Sequence, residues 1–427
     1  MAKTLTPLDA YTLINALVKQ ATGQQTITAT DVSSFISVGE TVMATGHENV
    51  LNSLSLILGR TLIASRSYRA RFGILNAVNT GVYSNRIRKI SFYNDEALPS
   101  GAWNTDIFTN LADGFTAGEN PSGTPPTPQS TKSQWEQHRK EVLEVNFGGS
   151  NVWQYCITRD RDALKVAFRG PEEFNEFIAG ILTECANDIE SEMEAFNRMT
   201  FVSEVAKRYF LEANNITTGC AINLTAAFNA KFNTTYTSAQ LRSTYLKEFL
   251  EFMVAKIKEV SDRMEERGCD YHDIFTNANG KVILRHTPKD RQRMMLYGPL
   301  FRDAEAMVMP EIFNPSYLDM DTQFERVEFW QSNLNDTVRP QISMESAYLD
   351  HGTGVQTTTG NITLDYLVGA IWDVDAIMTN FILEGTDTTP MEARKKYYNI
   401  WYDFAKQSIT DQTENMVIFY MADPLTP

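Results

Sequence analysis

The chain has 427 residues, with 38 Lys and Arg against 53 Asp and Glu, for a formal net charge of −15. That balance argues against a general nucleic-acid binder, whose phosphate contacts need a basic face. With 43% hydrophobic and 21% charged residues the composition is globular, not disordered, and the length suits two or three domains.

The charge is unevenly placed. From residue 301 onward there are 20 Asp and Glu against 7 Lys and Arg. Between Val50 and Asn94 the only charged residues are basic: Arg60, Arg66, Arg69, Arg71, Arg86, Arg88 and Lys89. Such a chain can attract copies of itself head to tail or pair the same charges internally. Cys156, Cys185, Cys220 and Cys269 are too widely spaced to suggest a disulfide framework, which fits a reducing cytoplasm. The first twenty residues lack the apolar core of a signal peptide, and no 18-residue apolar run predicts a membrane span.

In chain order, residues 1–47 read as an extended arm. Asp9 to Gln20 has the spacing of a short amphipathic helix (Tyr11, Leu13, Ile14, Leu17, Val18), and a Gly/Gln/Thr/Ser-rich stretch follows. Glu48 to Ser65 predicts a helix with an apolar stripe from Val50 to Ile63. Arg86 to Phe92 (RIRKISF) alternates as a strand does. From Asp95 to Lys140 the chain is rich in Gly, Pro, Ser, Thr and Asn, and the run GENPSGTPPTPQSTKS suits neither helix nor central strand. Leu143 to Trp153 reads as a returning strand, so the whole is a long hairpin. A polar excursion of this size belongs to a compact domain only if it is functional. Its apolar residues, among them Trp103, Phe108 and Trp135, are too few to make a core and must pack on something else.

Gly170-Pro171-Glu172-Glu173 is a strong helix start, with Pro at the first position and acids in the first turn. An apolar stripe from Phe174 to Met199 then predicts one helix to about Arg208, roughly 54 Å long at about 1.5 Å per residue. Leu211 to Tyr236 reads as irregular. Thr237-Ser238-Ala239-Gln240 is a capping-box pattern, opening a helix that runs to Arg267 and ends at Gly268. Lys281–Arg285, Gln323–Trp330 and Gln341–Leu349 suggest strands, and Thr363–Leu383 and Pro390–Gln407 suggest apolar helices.

The chain carries few catalytic signatures. Phosphate-loop, dinucleotide-fingerprint and H-E-x-x-H patterns are absent. Cys269 and His272 have the spacing of two zinc ligands but no second pair nearby. Asp350-His351 and Ser346 invite a triad, without the G-x-S-x-G setting. Asp373 and Asp375, if helical, point about 200° apart and cannot share a site. Asp319 and Asp321 suit a solvated turn better than a cation site. No catalytic residue, metal or cofactor is expected.

The order of arm, long hairpin, long helix and mixed C-terminal region resembles the major capsid (major head) proteins of tailed bacteriophages, whose fold is shared with herpesvirus capsid floors and encapsulins. The tract from Asn52 to Asp95 is similar to the corresponding region in heads of small podophages and gut phages. The resemblance implies an α+β fold with an N-terminal arm and helix over 1–85 and an extended-loop hairpin over 86–153. It further implies a peripheral domain over 154–236, with its spine helix at 171–208. An axial domain, with returning peripheral segments, would fill 237–427, including the strand, turn and short helix in KVILRHTPKDRQRMMLYGPLFRDAEAM. The implied function is a structural, non-enzymatic head subunit that self-assembles into hexamers and pentamers around packaged double-stranded DNA. It would be assembled in the host cytoplasm and reside in the virion. Its partners would be further copies, scaffolding, portal and auxiliary head proteins, and weakly the packaged DNA, with no membrane. Expected subunit contacts are Trp103, Phe108 and Trp135 as arm anchors and Arg86, Arg88 and Lys89 as charges at the arm's base. Lys132 carries no mark of an intersubunit crosslink. Two other readings stay open: a portal, tail or baseplate protein, and a soluble enzyme using the excursion as a lid.

Overall fold

The computed structural model describes residues 7–22, 28–44, 72, 75–77, 86–94, 140–148, 151–160, 169–217, 219–276, 280–308, 324–331, 340–351, 353–358, 360–390, 392 and 394–423. Two compact units divide the chain. One comprises residues 1–87, 146–273 and 285–427, the other residues 88–145 and 274–284.

In the larger unit the chain opens with α1 (Pro7–Thr22), which buries Ala10, Ile14, Leu17 and Val18 on one face. A second helix, α2 (Val32–Ala44), lies in the arm that the sequence suggested was irregular. Propensity there is weak, but Asp31 caps the start, its carboxylate accepting from Ser34 N at 2.7 Å, and Phe35, Val38 and Val42 bury themselves. The Ser34 backbone bond, with the Ser33 and Ser34 side chains, holds the Asp31 carboxyl below its ordinary range. Asn15 fixes the approach to α2, its Oδ1 accepting from Ala29 N at 2.7 Å. The helix expected at 48–65 lies outside the described residues.

After the short strand β1 (Asn76–Ala77), the ribbon strands β2 (Arg86–Phe92) and β3 (Val142–Gly148) and the long β4 (Asn151–Asp160), the chain enters its longest element. This is α3, Pro171–Ala213, 43 residues or about 64 Å at ~1.5 Å per residue. It starts where predicted and runs five residues past Arg208. Asn214 caps it, and Asn215 follows in the left-handed region (φ 55), which Asn tolerates better than most residues. Phe35 packs edge-on against Phe174 near its start, with ring centroids 5.7 Å apart. Farther along, Phe201, Val202, Val205, Ala206 and Leu211 enter the main core.

The segment from Leu211 to Tyr236 is not irregular. It holds β5 (Ala221–Asn223) and α4 (Leu224–Phe232), capped by Asn223, whose side chain accepts from Thr225 N at 3.1 Å. The capping box at Thr237 is real but heads only α5 (Ser238–Leu241), and α6 (Leu246–Glu265) starts anew after a turn. Gly268 does not end α6. It makes an isolated bridge to Arg285, all that remains of the strand expected at 281–285. The strand of that region is β6 (Gln292–Tyr297), leading into α7 (Gly298–Val308).

The remaining elements are strands: β7 (Phe324–Val327), β8 (Ile342–Met344), β9 (Ala347–Asp350), β10 (Gly354–Thr357), β11 (Ile362–Leu364), β12 (Leu367–Asp373), β13 (Ile377–Thr388), β14 (Tyr397–Thr410) and β15 (Met416–Tyr420). The helices expected at 363–383 and 390–407 are therefore wrong. Every residue of β12 is buried, so its apolar run lacks the alternation that marks a half-exposed strand and looks like a buried helix. It is the middle strand of a five-stranded sheet in the order β5-β15-β12-β6-β7. β13 and β14 form a long antiparallel pair in a four-stranded sheet ordered β1-β13-β14-β4.

The core lies where α3, α4 and α6 meet the five-stranded sheet. Phe201 stacks on Trp330 at 5.5 Å and meets Trp372 of β12 at 5.4 Å, and Trp330 Nε1 donates to Leu367 O at 2.9 Å. Gly369 permits the close approach of β12 to β6: a Cβ there would lie 2.5 Å from Met295 O. α3 also touches the four-stranded sheet, where the Tyr155 hydroxyl donates to Asp188 and Lys406 pairs with Glu192.

Candidate interaction surfaces and a buried polar junction

The smaller unit contains most of the ribbon β2–β3. Strand alternation sorts its side chains into two faces. Lys89, Ser91 and Tyr93 are half-buried or buried, and Tyr93 N donates to Glu141 O at 3.1 Å. Phe275 and Ile283 are buried in the same unit, and Asn94 N donates to Val282 O at 3.0 Å. Burial, and the Glu141 charge beside it, push the Tyr93 hydroxyl above its usual pKa. The other face is open. It presents Ile90, Phe92 and Val142 at 47%, 60% and 49% exposure, with Arg88 paired to Glu144 at 2.5 Å.

Of the contact residues expected from sequence, Arg86 begins β2, and Arg88 is already matched by Glu144 of its own ribbon. Lys89 falls on the face opposite Arg88, so the three do not form one basic cluster. Trp103, Phe108 and Trp135 lie outside the described residues, as do Arg60, Arg66, Arg69 and Arg71. Ile90, Phe92 and Val142 were not singled out by sequence, although their shared strand parity was available as a signal.

A second feature is a polar turn that is buried instead of exposed. Between β14 and β15, Asp411, Gln412, Thr413, Glu414 and Asn415 are each under a tenth exposed. Arg208 of α3, fully buried, donates from Nη2 to Asp411 O at 2.9 Å and Glu414 O at 3.0 Å, and from Nε to Glu204 at 2.7 Å. Lys207 pairs with Glu204 and donates to Thr410 Oγ1 at 3.0 Å. Gln412 reaches Asp273 and Leu349 O at 2.5 Å each, and Arg285 donates to Thr413 O at 3.1 Å. Burial pushes the Lys207 ammonium below its ordinary pKa despite Glu204. Burial also opposes the Arg208 charge, but Glu204 and Cys220 together hold that guanidinium above its usual value. The arrangement ties the last turns of the long helix to both sheets.

The candidate chemical groups disperse. Asp350, His351 and Ser346 do not form a triad: His351 Nε2 faces Asp273 Oδ1 at 2.8 Å, and Ser346 Oγ donates to Ser203 O at 2.8 Å. His272 is buried with Nδ1 3.1 Å from Asn415 Oδ1. Asp373 and Asp375, expected to diverge on a helix, instead sit on the turn between β12 and β13 and converge on Arg291. A guanidinium fills the space a cation would need. Asp319 and Asp321 lie outside the described residues. Among the described residues no group of three or more His, Cys, Asp or Glu side chains could hold a metal, and no helix is long and apolar enough to cross a membrane.

Residues 78–420 match the family described as Phi29-like phage major capsid protein. No curated protein matches the sequence. Among solved structures, the capsid of Staphylococcus phage Andhra aligns with 9% identity and a TM-score of 0.49, covering 82% of this chain and 83% of that one. A structure of the head fiber and inner core protein of bacteriophage P68 aligns with 9% identity and a TM-score of 0.47, covering 81% and 85%. The mature capsid of bacteriophage PhiM1 aligns with 9% identity and a TM-score of 0.37, covering 84% and 89%.

Proposed function

The chain belongs to the Phi29-like phage major capsid protein family, and from that premise we propose that its copies close into hexamers and pentamers around packaged double-stranded DNA. It is a structural subunit of a phage head, it self-assembles into the capsid lattice, and its place is the virion.

The observation that carries the finer reading is the open face of the ribbon. Ile90, Phe92 and Val142 stand half-exposed in a unit whose described residues include few buried ones. Covering such a face releases about 25 cal/mol for each Å² of apolar surface, which favours laying the hairpin over a neighbouring subunit. The domain plan read from sequence, with the extended loop over 86–153 and the spine helix beyond it, fits this role. Trp103, Phe108 and Trp135 act as anchors on the neighbour, with Arg86, Arg88 and Lys89 as charged contacts at the base and Arg88 sharing Glu144. A scaffolding protein and a portal guide closure, auxiliary head proteins decorate the shell, and contact with DNA is weak and non-specific, as the acidic balance requires. The chain acts by assembly and catalyses no reaction.

Expression of the full chain with its scaffold, followed by light scattering and electron microscopy, tests the reading. Shells or hexameric capsomers are expected from the wild type. Deletion of residues 105–132 should leave the helical circular dichroism intact and abolish shells. A compact monomer from the wild type, or undiminished shells from the deletion, would refute the proposal.

A further inference from the structure

The facing sides of α4 and α6 leave a cleft of about 210 Å³, lined by Ala227, Lys231, Phe252, Ala255, Lys256 and Glu259. Small alanines on both helices create it. Phe252, 5% exposed, forms an apolar wall, and Phe232, at the end of α4, is 50% exposed with its ring 6.1 Å from that of Phe252. A cleft this size falls below the roughly 300–1,000 Å³ of small-molecule sites. It suits one large side chain delivered by another protein, as interface anchors do.

The rim has a sign. Lys231 lies 5.4 Å from the Phe252 ring centroid and 5.6 Å from that of Phe232. Among the described residues no carboxylate is within ion-pair distance of it. Lys256 pairs with Glu259 at 3.0 Å, but Glu259 also serves Arg263 at 2.9 Å. Two cations thus share one carboxylate beside Lys231, in a chain whose net charge is −15. An ammonium held over aromatic rings keeps its charge available to an approaching anion.

We infer that this cleft docks an acidic segment of a partner protein, which inserts one large apolar side chain between Ala227 and Ala255 and sets carboxylates against Lys231 and Lys256. The inference does not rest on how copies assemble, because it is read on binding to the subunit itself.

The test uses the full chain and a fluorescein-labelled, end-capped peptide with a central Leu flanked by Glu residues, followed by anisotropy. Saturable binding that weakens with added salt is expected. Lys231→Glu should weaken it about tenfold or more, Ala255→Trp should abolish it by filling the cleft, and Lys395→Glu, on an exposed turn, should leave it unchanged. Absence of saturable binding, equal binding of a peptide with Lys in place of Glu, or indifference to Ala255→Trp would overturn the inference. So would a result in which the peptide fails to bind while Lys231→Glu lowers self-association of the chain, since the occupant would then be a second copy.

Discussion

β12 and the ribbon β2–β3 are both strands of seven residues, and they live in opposite surroundings. β12 is buried along its whole length between β15 and β6, with Trp372 and Ile371 fully enclosed. Among the described residues the ribbon has only itself for a sheet, and Phe92 stands 60% exposed. One strand holds a subunit together, and the other has apolar surface that its own unit does not cover. The difference separates residues whose loss should unfold the chain from residues whose loss should leave it folded but solitary.

The largest effects belong on the buried side. Trp372→Ala should cost about 3–5 kcal/mol of folding stability, measured by denaturant unfolding of the subunit before assembly. Arg208→Ala should cost about as much, because it leaves buried Glu204 with Lys207 alone and takes the donor from Asp411 O and Glu414 O, whereas replacing Glu204, Lys207 and Arg208 together by Leu or Met should recover most of the loss. If the triple replacement is worse than Arg208→Ala, the junction is not held by mutual charge compensation. Gly369→Ala should cost about 1–3 kcal/mol through the clash with Met295 O. On the ribbon, Phe92→Asp should change subunit stability by less than about 0.5 kcal/mol yet abolish shells by electron microscopy. Unfolding of that variant would place Phe92 with β12 and erase the comparison. The smallest effect is a pH dependence at α2. The Asp31 carboxyl is held below the ordinary carboxylate value, so its stabilising contribution is present above that value and is lost as pH falls through the folded value. Asp31→Asn should flatten the acid loss of helical circular dichroism relative to the wild type.

What the sequence revealed follows from the same contrast. Elements with a local signature were legible. Pro171, Glu172 and Glu173 mark the start of the long helix, alternation marks Arg86–Phe92, and Thr237 and Gln240 mark the capping box. Elements defined by distant neighbours were not. β12 and β13 read as one helix because a strand buried on both faces has no two-residue period, and the turn at Asp373–Asp375 was hidden inside the run. In β14 the aromatic and β-branched residues Tyr397, Ile400, Trp401 and Tyr402 favour strand. Pro390, which looked like a helix start, instead precedes a turn closed by Lys396 at φ 57. The segment Asp411–Asn415 looks like any exposed polar turn, and its burial depends on Arg208, Asp273, Arg285 and Leu349, none of them near in sequence. For the candidate surfaces, strand parity shows that Ile90 and Phe92 share a face, but only the fold shows that this face is open.

The order of the five-stranded sheet has a consequence for timing. β15 lies between β5 and β12, pairing Ile418 with both Ala221 and Ala370. β5 therefore emerges from the ribosome almost two hundred residues before the strand it pairs with, and no hairpin can substitute for that contact. Sheets closed by such long-range pairings form slowly compared with local ones. A nascent chain thus carries an incomplete sheet until β15 has been made, and subunits become competent to join a growing shell only after synthesis has passed that strand.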